Sequence, residues 1–179
     1  MNYEQEAYLY HKSQLMVNDM ADQVRNIYNI EIPIANLEDV VSKIGGIVKY
    51  DARCCGYVEK NYKLFTIHVA DNSDFRIKNF SIAQQLGKMF LFTDFVLDRK
   101  DTFGEDYIIS DIRYLQKDPV NWTNEFAGAL FMPKAQFIRV AKENVDSNNR
   151  VAHKVLAEHF NVTYSTASWR GKRLGIFED

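Results

Sequence analysis

The sequence predicts an α+β fold, mostly helical with a small antiparallel sheet. Three observations carry this. Apolar residues recur at helical spacing near the N-terminus and again in the second half of the chain. Short runs rich in β-branched and aromatic residues gather between residues 46 and 69. Helices precede and follow those runs in blocks, which argues against a doubly wound sheet with alternating strands and helices.

The elements follow in order. Val17, Met20, Val24 and Ile27 predict a helix over about 12–29, broken by Pro33. Asn36 caps a second helix, with Asp39 in capping-box position and Leu37, Val40, Val41 and Ile44 as its apolar face. Gly45-Gly46 stops it. The strands are GIVKY (46–50), CGYVE (55–59) and KLFTIHV (63–69), the last two joined by a turn at Lys60-Asn61-Tyr62. After the polar loop ADNSD, Ser73 or Asp74 caps a helix carrying FSIAQQLGKMFLF (80–92). Residues 93–118 read as an extended loop with room for a strand at YII (107–109). NWTNEFAGALFMP (121–133) is a helix ended by Met132-Pro133, followed by another over about 135–144 and a tail over 150–179.

Composition narrows the function. A chain of 179 residues is long enough for one domain with a proper core. The net charge of −2 gives no footing for general binding to nucleic acid or anionic membranes. No apolar run reaches membrane-spanning length. MNYEQEAYLYHK lacks a charged segment followed by an apolar one, so no signal peptide is expected and the cytoplasm is the simplest location. Cys54 and Cys55 are adjacent, which makes a poor disulfide. On a strand their side chains point to opposite faces, so packing is favoured over metal binding.

Several separated stretches resemble one family, the ImmA/IrrE zinc metallopeptidase-like proteins. IPIANLEDVVSKIGGIVKY resembles the N-terminal segment, and FSIAQQLGKMFLF the active-site helix, usually F-[ST]-I-A-H-E-L-G-H. TNEFAGALFMP resembles the second signature, usually A-N-x-F-A-x-x-L-L-M-P, and LAEHFNVTYSTASWRGKRLGI (156–176) the C-terminal segment. The matches span about 36–176 in order. The resemblance implies a zincin-like domain over 1–145, with a small antiparallel sheet packed on the active-site-type helix. A helix-turn-helix-like pair over 146–179 packs on that domain.

In an H-E-x-x-H helix two His four apart reach one Zn²⁺, and the Glu beside the first deprotonates a bound water. In the family a third ligand, usually Glu, comes from just before the Ala-Asn pair. These positions here hold Gln84, Gln85, Lys88 and Trp122. A carboxamide is a poor zinc ligand and cannot act as a base at neutral pH. An ammonium has no lone pair, and an indole nitrogen only donates. The resemblance therefore implies a site emptied of its chemistry: no catalytic residue, no metal and no cofactor. Phe80, Ile82, Ala83, Leu86, Gly87, Asn124, Phe126, Ala127, Leu130, Met132 and Pro133 keep the scaffold.

Rival readings are weaker. Glu125, Asp94 and Asp118 lie near these helices, but His11, His68, His153 and His159 offer no matching ligand face. Leu86-Gly87-Lys88 lacks the glycine-rich approach of a phosphate loop. An ion pair between Lys88 and Glu125 is one way to replace a metal bridge; Lys88 in solvent is the other. In the tail, Val155, Leu156, Phe160, Val162, Thr163, Ala167, Arg170 and Leu174 fit helix-turn-helix spacing. The leading turn of the second helix offers Tyr164, Ser165 and Thr166 rather than Arg or Asn, and Arg170, Lys172 and Arg173 suit a helix C-terminus. DNA binding through this pair is thus the lesser alternative, as is a peptidase with a rearranged metal site. The resemblance implies a non-catalytic, protein-binding regulator of a helix-turn-helix repressor from a phage or mobile element. Its expected partner cleft is Gln84, Gln85, Lys88, Trp122 and Glu125.

Overall fold

The computed structural model describes residues 2–53, 56–61, 64–71, 74–96, 98, 112–145 and 151–177. Among these the fold is α+β, with a three-stranded sheet and helices before and after it.

Helix α1 spans Tyr3–Tyr28, starting well before the expected residue 12. Its leading residues bury no apolar stripe, so periodicity does not reveal them. A capping box starts the helix instead: the Gln5 amide donates to Asn2 Oδ1 at 2.9 Å and the Gln5 side chain accepts from the Asn2 amide. The helix ends where expected, at Asn29, whose left-handed conformation (φ 49°) stops it four residues before Pro33. Helix α2 spans Leu37–Ile44, capped by Asn36 Oδ1 accepting from the Glu38 amide at 3.0 Å. Gly45 ends it at φ 97°, a region few other residues tolerate.

Strands β1 (Gly46–Asp51), β2 (Tyr57–Asn61) and β3 (Leu64–Ala70) form a sheet in the order β1-β3-β2. Only β2 and β3 are antiparallel. β1 runs parallel to β3, with Gly46 opposite Phe65 and Asp51 opposite Ala70, so the expected antiparallel sheet is in fact mixed. Burial explains the order. β3 turns Phe65, Ile67 and Val69 into the core, whereas β2 is mostly exposed and takes an edge. The hairpin pairs Asn61 with Leu64, so Lys60 and Asn61 belong to the strand. Tyr62, Cys54, Cys55, Ser73 and the expected strand at 107–109 fall outside the described residues.

Helix α3 spans Phe75–Phe92, capped by Asp74 Oδ1 accepting from the Arg76 amide at 2.8 Å. Asp74→Ala is expected to destabilise the fold by about 1 kcal/mol in urea unfolding, whereas Asp74→Ser should be nearly silent. A short α4 (Ile112–Leu115) leads into α5 (Pro119–Phe131), capped by Asp118, whose Oδ1 accepts from the Asn121 amide. Then come α6 (Lys134–Glu143), α7 (His153–His159) and α8 (Tyr164–Arg173), the last capped by Thr163.

One buried cluster runs from Val17 in α1 through the sheet, α3 and α5 to Ala167 in α8. The C-terminal pair is therefore packed into the same core as the rest. Among the described residues no helix is long and apolar enough to cross a membrane.

Candidate functional site: a cleft across α3, α5 and α8

Helix α3 commits one face to the core through Ile82, Ala83, Leu86, Met89 and Phe90. Gln84, Gln85 and Lys88 lie on its other side, Gln84 and Gln85 half-buried and Lys88 exposed. The three line one cleft of about 230 Å³, closed by Gly56 next to β2 and by Pro119, Val120 and Thr123 of α5. The structure thus brings three of the expected cleft residues together.

Trp122 and Glu125 are not with them, which corrects the sequence reading. Trp122 is 2% exposed and packs its ring against Tyr10 and Tyr114, at centroid distances of 5.2 and 6.1 Å. Glu125 is fully buried. The cause is helical geometry. Each residue advances about 100° around α5, so Val120, Thr123 and Asn124 share the face toward α3, and Trp122 and Glu125 lie on the opposite one, toward α1. The place facing Gln84 and Lys88 where a third ligand would stand is therefore Thr123.

Glu125 has its own partners. It accepts from Arg170 Nη1 at 2.7 Å, Arg173 Nε at 2.9 Å and Asn18 Nδ2 at 2.8 Å. Arg170 also donates to Asn18 Oδ1 and to the Met132 carbonyl, and Arg173 to the Tyr10 hydroxyl. An ion pair between Glu125 and Lys88 is therefore not formed: the carboxylate is occupied and Lys88 faces solvent. Burial lowers the pKa of Arg170, and the adjacent Glu125 opposes that shift. Burial also lowers that of Arg173. Arg25 donates to the carbonyls of Ala129 and Leu130 near the end of α5, and burial, with Arg170 nearby, lowers its pKa to about 10. It remains a cation at neutral pH.

What joins α3 to α5 at the site is an amide pair: Gln84 Nε2 donates to Asn124 Oδ1 at 2.5 Å. Beyond this bridge a second cleft, of about 250 Å³, opens between α3, α5 and α8. Phe80, Gln84, Asn124, Ser165, Thr166 and Trp169 line it. Gly128 lets α8 come this close, since a Cβ there would stand 2.6 Å from the Trp169 ring.

Sequence reasoning missed the second cleft and the buried charge network. The network had a signal. Glu125 is the sole acid in the otherwise apolar or neutral run NWTNEFAGALFMP, and a buried carboxylate requires cations. The described residues of the cleft offer neutral amides, hydroxyls and one ammonium, groups that bind and orient through hydrogen bonds and charge. Among the described residues no three His, Cys, Asp or Glu side chains gather as a metal site. Asp118 serves as a helix cap. Comparison of the chain with protein-family models, curated proteins and solved structures returns no match.

Proposed function

We propose that this protein is a non-catalytic, zincin-like homologue of the ImmA/IrrE family that regulates a protein partner, a helix-turn-helix repressor of a phage or mobile element. The observation that carries this reading is the α3 face. Gln84, Gln85 and Lys88 sit together at the mouth of a cleft, in the places where the resemblance puts two ligands and a base. The cleft keeps its shape through the Gln84–Asn124 bridge while its side chains offer hydrogen bonds and one charge. Such a surface suits holding a polypeptide rather than cutting it. A partner that binds DNA places the protein in the cytoplasm.

The DNA-binding alternative loses ground on one observation. Arg170 is sealed in the core and Arg173 is engaged by Glu125 and Tyr10, so neither is presented to phosphates.

The test is metal content and partner capture on the same native preparation, made without chelator or nickel. The expected result is no stoichiometric zinc, manganese or iron, no cleavage of the captured protein, and capture that survives nuclease. One transition metal per chain together with proteolysis would replace this reading with that of an active peptidase. Capture lost on nuclease treatment would replace it with that of a DNA-bound regulator.

A further inference from the structure

The two clefts meet at Gln84, which lines both. Together they form a groove that crosses α3 from the Lys88 end to α8. Among the described residues lining either part, Lys88 alone is charged, and it forms no ion pair with another described residue. The middle of the groove is made of amides. With Gln84 Nε2 given to Asn124 Oδ1, Gln84 Oε1 and Asn124 Nδ2 have no partner among the described residues. Gln85 Oε1 is buried with no hydrogen-bond partner among the described residues. Gln84 Oε1 as an acceptor beside Asn124 Nδ2 as a donor matches the N–H and C=O groups of an extended backbone. At the far end Phe80 and Trp169 form an aromatic slot with Ser165 at its rim.

We propose that this groove binds an extended peptide segment, with an acidic side chain over Lys88 and an apolar side chain between Phe80 and Trp169. The proposal rests on the protein-binding reading above and names the chemistry of the bound segment. Charge complementarity selects the acid, because a cation there would meet Lys88 with nothing to offset it. The slot between α3 and α8 selects the apolar residue, because an aromatic-walled pocket gains most from a side chain that leaves water.

The probe is a library of random linear peptides displayed on phage, selected against the wild-type chain, Lys88→Glu and Ser165→Phe. Both changed positions are exposed, so the core is untouched; melting curves confirm folding. Wild type should enrich peptides with Asp or Glu at a fixed spacing from an apolar residue. Lys88→Glu should exchange the acid for Lys or Arg and weaken the wild-type peptide by about tenfold or more. Ser165→Phe, which plugs the slot from its rim, should keep the acid and lose the apolar position.

No enrichment, or a motif unmoved by both substitutions, overturns the proposal. So does binding that requires a free peptide C-terminus, measured by comparing amidated and free-acid forms of the selected sequence. The two readings fail separately. A captured partner whose binding ignores both substitutions leaves the regulator standing and removes the groove. Selected peptides that follow the expected pattern, with no partner captured, leave the groove and remove the regulator.

Discussion

Glu125→Ala is expected to destabilise the protein by about 3–5 kcal/mol, a fall of roughly 6–20 °C in Tm. The carboxylate is fully buried and offsets Arg170, itself without exposed surface, and Arg173. Removing it leaves the Arg170 guanidinium in the core with, among the described residues, Asn18 and the Met132 carbonyl as its acceptors. Thermal and urea unfolding measure the loss. The loss belongs to the unpaired charge rather than to the contact, and a second variant separates the two. Adding Arg170→Met to Glu125→Leu removes both charges from the centre of the network and should recover stability relative to either single change. Arg173 is partly exposed and can turn outward. An unchanged Tm for Glu125→Ala would mean that α8 does not seat on α5 as described.

The second large effect is a gain of function. Gln84→His, Gln85→Glu and Lys88→His place two imidazoles and a base on α3, and a third ligand must then come from α5. The structure points to Thr123, which lines the same cleft, and away from Trp122, on the opposite face of the helix. The triple variant with Thr123→Glu should bind zinc and gain about 2.7 kcal/mol of stability at a free zinc concentration near one hundred times its Kd. With Trp122→Glu in its place the chain should lose zinc binding and most of its stability. A buried aromatic would be exchanged for an unpaired charge, costing upward of about 3 kcal/mol. Competition with a chromogenic chelator and melting with and without zinc decide between them. Tighter zinc binding by a folded Trp122→Glu set would mean that α5 is rotated from the orientation described.

These two experiments mark where the sequence was legible and where it was not. Periodicity located α2, α3 and α5 because each commits a continuous apolar face to the core, and the caps Asn36, Asp74 and Thr163 stand where their residue types predict. It missed the first turns of α1 because they bury nothing. The order of the sheet was hidden because alternation shows which face of a strand is buried, not which neighbour it pairs with; β1 beside β3 is a long-range choice. The α3 part of the cleft was readable because residues four apart share a helix face. The α5 part was misread by following the motif's order rather than the rotation of the helix. Trp122 and Asn124 are about 200° apart on any α-helix, and only one of them can face Gln84. Arg170 and Arg173 looked like a basic helix end; no local pattern shows that a carboxylate 45 and 48 residues earlier takes both.

That separation also has a consequence in time. The ribosome makes α5 before α8, and at roughly 5–20 residues per second the guanidiniums reach the nascent chain about 2–10 s after Glu125 does. During that interval the α5 carboxylate has no cation to enter the core with. The segment around Glu125 therefore stays hydrated until α8 arrives, and the last layer of the core closes late in synthesis. A stalled or truncated product ending before Arg170 would expose the apolar face that α8 covers, the kind of surface chaperones and proteases recognise.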